Sequence, residues 1–269
     1  MKKKLFVIGD SNIYGDEQLN DNVSGIVTGI ILDGSEFNWP SRKTYPYYIK
    51  DRQVLDFSSA GLSTERCSDI YSQLILPQMT PDDELLVHVP PTTRDVIHKN
   101  SFNNLKLTNN RIKNFNHWCQ TVTDLKYSKE LFHLFINLYS GENVNPGRLK
   151  EWAEENKAPQ IVKWMDTKYW NTHNSLSRLQ RYITIIENSS PGKNYYVFTT
   201  PYEYDPEELN KALDNVGINI VDRTIDSHWV KSMNQISKSL KIPTYPRHHY
   251  APRVHQVYHD KFAEKHFIV

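Results

Sequence analysis

The chain has 269 residues, with 32 Lys plus Arg against 31 Asp plus Glu, for a formal net charge of +1. That balance leaves no bulk charge to hold a phosphate backbone or an anionic membrane surface, which argues against a dedicated nucleic-acid binder. The hydrophobic fraction is a modest 38%, but 6 Trp, 16 Tyr and 10 Phe bring large burial per side chain and argue against disorder, and no stretch approaches the roughly 18 apolar residues of a membrane helix.

Met1-Lys2-Lys3-Lys4 begins like a leader, but the apolar run that follows, Leu5-Phe6-Val7-Ile8, stops at Gly9-Asp10 and is too short for a signal-peptide core. The expectation is a cytoplasmic protein whose first element is a strand buried on both faces. Residues 16 to 44 read as a long excursion with one apolar patch, Ile26 to Leu32, and Tyr45-Pro46-Tyr47-Tyr48-Ile49 begins a short helix. A second strand is expected at Val54-Leu55-Asp56-Phe57; it turns through Ser58-Ser59-Ala60-Gly61 into a helix whose start is marked by Ser63 and Thr64, with Glu65 following. Glu84 to Val89 is the third strand, closed by Pro90-Pro91, neither of which continues a central ladder.

From about 110 to 190 the pattern is helical, with Ile112, Phe115, Trp118 or Cys119, Val122 and Leu125 recurring every three to four residues. Tyr195 to Phe198 is expected as the fourth strand, Glu207 to Leu213 as a helix, Ile218 to Val221 as the fifth strand, and Pro252 as the opening of the last helix. Strands separated by helices imply a parallel sheet covered on both faces, with ligands at the carboxyl ends of the strands. Cys67 and Cys119 lie far apart and make no Cys/His ligand spacing, so a disulfide-framed fold is excluded.

Among the strand-end residues, Ser11 stands in Gly9-Asp10-Ser11-Asn12-Ile13-Tyr14-Gly15, where small neighbours permit a sharp turn that exposes a hydroxyl. At the end of an apolar first strand and followed by Gly15, this segment resembles the first block of the SGNH (GDSL-type) hydrolases. Gly61, after the second strand, matches the glycine block of that family, and its amide would join that of Ser11 in an oxyanion hole. The third block departs from the pattern: Val89-Pro90-Pro91-Thr92-Thr93-Arg94-Asp95 contains no Asn, leaving Thr92 or Thr93 as a substitute hydroxyl donor. Such a Thr is equally explained as the cap of a Pro-terminated loop.

Before the last helix, His249 and His255 in His249-Tyr250-Ala251-Pro252-Arg253-Val254-His255 reproduce the spacing at which the family carries its base. The resemblance therefore implies Ser11 as nucleophile and His249 as general base, with His228 as the second candidate. The usual Asp three residues earlier is replaced by Pro246, so Asp222, Asp226 or a backbone carbonyl is left to orient the imidazole. Asp10, Asn12 and Arg94 are candidate substrate-binding residues. The resemblance covers residues 1 to 98 and about 194 to 265, and its third block is similar to that of uncharacterised SGNH-like proteins of tailed phages, which would place the protein in the host cytoplasm or the virion.

The fold so implied is an α/β, flavodoxin-like three-layer sandwich with a central parallel sheet of about five strands: one domain over 1–269, with a mainly helical insertion at about 100–190. The function implied is a serine ester hydrolase acting on a small acyl ester, an O-acylated carbohydrate being the favoured class, with no cofactor, no metal, and no nucleic-acid or membrane partner. Trp152, Trp164, Tyr169 and Trp170 in the insertion suit either its own core or a stacking surface for sugar rings. Two competing readings are a metal site built on His255 and His259 with His248 or His249, which lacks the Glu of His-Glu-x-x-His, and a worn SGNH scaffold serving as a binding or structural module.

Overall fold

The structure is a computed structural model that describes residues 3–10, 26–30, 36–40, 44–58, 62–91, 95–97, 142–144, 172–199, 206–244 and 249–267. Its centre is a five-stranded sheet built from β1 (Lys3–Ile8), β4 (Arg52–Asp56), β5 (Glu84–Val89), β8 (Lys193–Phe198) and β9 (Thr224–Asp226), in the spatial order β4-β1-β5-β8-β9. Every neighbouring pair is parallel. Numbered along the chain, the order is second, first, third, fourth, fifth, the flavodoxin-like arrangement, with its topological switch between the first and third strands.

The short continuous apolar runs behave as expected of strands buried on both sides. Phe6, Ile8, Leu55, Leu85, Val87, Tyr196 and Phe198 face one layer, and Leu5, Val7, Leu86, Tyr195 and Val197 face the other. The first layer holds α1 (Thr64–Ile70), α2 (Thr172–Ser189) and α3 (Pro206–Asp214). The second holds the 3-10 turn Tyr45–Tyr48, α4 (Trp229–Leu240), α5 (Pro252–Tyr258), the π turn His259–Ala263 and α6 (Glu264–Phe267). Ser63 caps α1, its hydroxyl accepting from the Arg66 amide at 3.3 Å, and Pro252 opens α5. Gly192 is required where α2 returns into β8, because a Cβ there would lie 2.2 Å from the Asp83 carbonyl oxygen.

One expectation is corrected. Ile218–Val221 does not form the fifth strand. Ile218 and Ile220 instead pack into the first layer as a loop, and Val221–Arg223 closes a 3-10 turn in which the Val221 amide donates to Asn219 Oδ1 at 2.9 Å. The pairing strand is the next segment, β9, whose Thr224 stands opposite Tyr196 and whose Asp226 stands opposite Val197, with an irregularity between them. Apolar alternation marked a buried segment correctly, but burial is compatible with a packed loop, and only the partner strand selects which residues pair. The region read as helical contains the helix α2, yet Glu142–Val144 is a strand, β7, antiparallel to β6 (Asp95–Ile97). In the early excursion, β2 (Ile26–Ile30) pairs antiparallel with β3 (Glu36–Pro40).

At the amino end of the sheet, Glu84 receives Arg52 Nε at 2.7 Å and Lys3 Nζ at 2.9 Å, joining β4, β1 and β5, and Arg52 also donates to the Phe267 carbonyl at 3.3 Å. The Arg52 and Glu84 side chains are almost wholly buried. Burial alone would raise the Glu84 pKa, but the bonds from Arg52 and Lys3 outweigh it and hold the carboxyl below its usual range. A depressed carboxylate contributes stability above its unfolded pKa and loses it as pH falls through the folded value. Arg52→Met should therefore cost about 3 kcal/mol in urea unfolding at neutral pH and flatten the acid limb of the stability curve, while adding Glu84→Leu should recover most of that loss. An Arg52→Met variant as stable as the parent would show that Lys3 alone neutralises Glu84.

Candidate active site

The carboxyl ends of the parallel strands are where apolar ladders give way to polar side chains. Asp10 follows β1 and is fully buried, Asp56 and Ser58 close β4, His88 is the penultimate residue of β5, Thr199 follows β8, and Asp226, Ser227 and His228 close β9. The chain crosses between these ends by backbone bonds: Phe57 N–H donates to Val7 O at 2.8 Å, Thr199 N–H to Val89 O at 3.3 Å, and Val230 N–H to Thr199 O at 3.2 Å. Asp56 is occupied locally, accepting from the Ser58 amide at 2.8 Å and from the Tyr47 hydroxyl at 3.1 Å.

His88 lies on the same face of β5 as Leu86, in the layer of α4 and α5, and its side chain is fully buried. Its Nδ1 is 3.2 Å from Thr199 Oγ1 and 3.9 Å from Asp10 Oδ1. The ring meets the edge of Trp229 at a centroid distance of 4.9 Å and an angle of 88°. Beneath it, Tyr45, Trp229, Tyr250, His255 and Tyr258 form a continuous aromatic layer, with Tyr45 and Tyr258 4.9 Å apart and Trp229 and Tyr250 5.3 Å apart.

His255 stands inside that layer. It stacks on Tyr45 at 6.4 Å and 13°, and neither of its ring nitrogens has a hydrogen-bond partner among the described residues. Burial, reinforced by the nearby imidazoles of His88 and His249, pushes its pKa down to about 3. The ring is a neutral core histidine bordered by aromatics, and this is what its helical neighbours Val254 and Tyr258, both buried, already imply. His259 is one turn further on, with Nδ1 2.9 Å from Asp260 Oδ1 and its ring 6.2 Å from that of Tyr48.

Of the residues singled out by sequence, the structure describes Asp10, Asp226, His228 and His249. Ser11, Asn12, Gly61, Thr92 and Arg94 lie outside the described residues, as do His248 and the insertion aromatics Trp152, Trp164, Tyr169 and Trp170. His249 is buried, with 6% of its surface exposed, and the ring of the next residue, Tyr250, meets that of His255 at 6.5 Å. Because His88 and Tyr250 both meet Trp229, at 4.9 and 5.3 Å, and His88 approaches Asp10, the fold brings residues from the two ends of the chain into one layer.

His228 is half-buried at the start of α4, with Nδ1 2.7 Å from Ser227 Oγ and its backbone N–H donated to Asp226 Oδ1 at 2.8 Å. The other Asp226 oxygen is buried with no hydrogen-bond partner among the described residues, and burial, with the Asp226 carboxylate adding to it, keeps the Tyr45 hydroxyl well above its usual pKa, while Tyr258 is raised by burial, by Tyr45 and by Asp226. Asp222 is corrected: it is exposed in the turn before β9, and so sits at the amino end of that strand, away from the site, where the misplaced fifth strand had put it in a loop after the strand. His88 and Thr199 carried no site assignment from sequence. The signal was present, because a His in an otherwise apolar strand, two residues from Leu86, points into the core and must be satisfied there.

Because the folded His255 ring resists the proton that an unfolded His accepts near pH 6.5, stability should decline as pH falls from about 6.5 toward 3, by up to about 1.4 kcal/mol per pH unit. His255→Phe should remove that slope and leave neutral-pH stability unchanged or higher, since an aromatic ring replaces a polar one with no described partner. Unfolding curves of both proteins at pH 7, 6, 5 and 4 check this; parallel pH slopes would mean that His255 titrates normally.

No family model and no curated protein matches the chain. Among solved structures, the chain is similar to Axe2, an acetylxylan esterase from Geobacillus stearothermophilus, at 12% identity and a TM-score of 0.41, covering 97% of this chain and 94% of that one. A catalytic mutant of Axe2 gives 11% identity and the same TM-score and coverage, and a second Axe2 mutant, an acetyl-xylooligosaccharide esterase, gives 12% and 0.39 with the same coverage. Likeness at this level has no bearing on the chemistry of this chain, and its α/β three-layer fold is read from the strand order itself.

Proposed function

We propose that the protein is a serine ester hydrolase of SGNH type, with Ser11 as nucleophile and His249 as general base. The observation that carries this reading is a chain of contacts: Asp10, the residue before Ser11, lies 3.9 Å from His88, whose ring meets Trp229 at 4.9 Å, and Trp229 meets Tyr250, the residue after the buried His249, at 5.3 Å. A flavodoxin-like sheet supplies the reason: β1 borders the switch point, and such sheets bind ligands outside the carboxyl ends of the strands there.

In this reading, Ser11 Oγ attacks the ester carbonyl carbon as His249 takes the hydroxyl proton. The carbonyl oxygen becomes an oxyanion held by the Ser11 and Gly61 amides, with Thr92 in place of the missing Asn. Collapse expels the alcohol, which receives the proton from His249, and water activated by the same imidazole then releases the acid from the acyl-serine. His228 is the second candidate base; its Nδ1 is engaged with Ser227 Oγ, which leaves Nε2 as the nitrogen that would take the proton. Asp226 has one oxygen bonded to the His228 amide and the other without a partner among the described residues, so an Asp-oriented triad stands beside a Ser-His pair as a form of this reading.

Asn12 and Arg94, beside the nucleophile and the third block, would meet the substrate together with Asp10. A small acyl ester of a carbohydrate is the proposed substrate class, and the third-block similarity to phage-encoded relatives belongs to the same proposal. No cofactor is required by this chemistry.

Ser11→Ala should abolish hydrolysis of p-nitrophenyl acetate and adduct formation with a fluorophosphonate, read by intact mass, with the melting temperature within a few degrees of the parent. His249→Ala should lower kcat by about 10³-fold or more, Thr92→Val by about 10²-fold with little change in KM, and His228→Ala by less than about 3-fold. A parent that is inert on acetylated sugars and unlabelled by the phosphonate would favour the binding-module reading, and full activity in Ser11→Ala would end the serine mechanism.

A further inference from the structure

The Asp10 carboxylate is fully buried, one residue before the proposed nucleophile. A carboxylate taken out of water is costly unless dipoles or charges face it, so the groups around it bear on where the turn after β1 sits. One of them can be assigned its proton. Thr199 Oγ1 lies 2.6 Å from the Val89 carbonyl oxygen, which can only accept, so the single hydroxyl proton of Thr199 is spent there. Toward His88 Nδ1, at 3.2 Å, the Thr199 oxygen is therefore the acceptor, and Nδ1 must carry the hydrogen.

The same Nδ1 is 3.9 Å from Asp10 Oδ1. That is too long for a direct hydrogen bond, so the N–H group, directed at Thr199, bears on the carboxylate through its partial positive charge. The opposite tautomer would aim a lone pair at two oxygens at once. Rotation of the ring to escape this choice is resisted by the Trp229 edge at 4.9 Å and by Tyr45 at 6.4 Å.

We propose that His88 is a positioning residue, whose Nδ1–H, fixed by Thr199, holds the Asp10 carboxylate at the end of β1 and so sets the turn that carries Ser11. The device spans three adjacent strands, since Asp10 follows β1, His88 belongs to β5 and Thr199 follows β8. It rests on the reading of Ser11 as nucleophile, and goes beyond it in placing a buried imidazole behind the nucleophile turn, separate from the base.

The test uses the two amides that divide an imidazole between them: Asn reproduces a donor at the Nδ1 position and Gln one near Nε2. His88→Asn should keep kcat on p-nitrophenyl acetate and the rate of fluorophosphonate labelling within about 3-fold of the parent. His88→Gln and His88→Leu should lose about 10- to 100-fold in kcat with KM nearly unchanged, at melting temperatures matching the Asn variant. Equal rates in all three, or losses that follow the melting temperature, would overturn the proposal. Independently of activity, nitrogen-15 histidine spectra of the parent should show His88 as the Nδ1–H tautomer, with that proton shifted by Asp10→Asn. An Nε2–H tautomer, or an Nδ1 proton indifferent to Asp10→Asn, refutes the contact. If the shift is present but the parent is inert toward every ester and toward the phosphonate, the contact stands while the hydrolase reading, and the positioning role with it, fails.

Discussion

The constraint on which the rest of this structure depends is the covering of the central parallel strands on both faces. With helices on either side, β1, β5 and β8 have no solvated face, so every polar side chain they carry must be placed at a strand end or satisfied within the protein. The amino end uses opposite charges: Glu84 against Arg52 and Lys3, drawn together from three neighbouring strands. The carboxyl end places Asp10, His88 and Thr199 beside one another on the strands nearest the topological switch. One arrangement ties the sheet by charge, and the other satisfies buried polar groups at its opposite end.

The two helical layers divide the work unequally. The layer of α1, α2 and α3 is an apolar core of Leu, Ile and Phe with a few tyrosines, and its polar contacts, such as Arg223 with Glu187 at 2.6 Å, lie at its margin. The layer of α4 and α5 is built instead from rings that carry a polar atom. Tyr45, Trp229, His255 and Tyr258 each bury a nitrogen or oxygen with no hydrogen-bond partner among the described residues. Their burial costs stability that a purely aliphatic layer would not. The compensation is geometric: T-shaped contacts around Trp229 fix the orientation of His88.

The same layer holds the segment that leads into α5. Pro252 starts α5 at a defined point, three residues after His249, and α5 packs on α4 and on the 3-10 turn. In α5 itself the His255 ring is held neutral by burial, and so adds no positive charge beside His249 or His88.

By itself the sequence determined those features that depend on neighbours along the chain. The apolar runs at Leu5 to Ile8, Glu84 to Val89 and Tyr195 to Phe198 are strands, Ser63 caps its helix, and Pro252 opens the last one, because periodicity, capping and proline geometry are local. The strand-end position of Asp10 was legible for the same reason. What only the tertiary structure decided was pairing across the chain. Thr224–Asp226 and not Ile218–Val221 joins the sheet, because a partner strand chooses among buried segments that look alike in sequence. Asp222 leaves the site on the same account. The proton on His88 Nδ1 is set by a hydroxyl more than a hundred residues away, whose own proton is claimed by a third group, and no local pattern records such an arrangement.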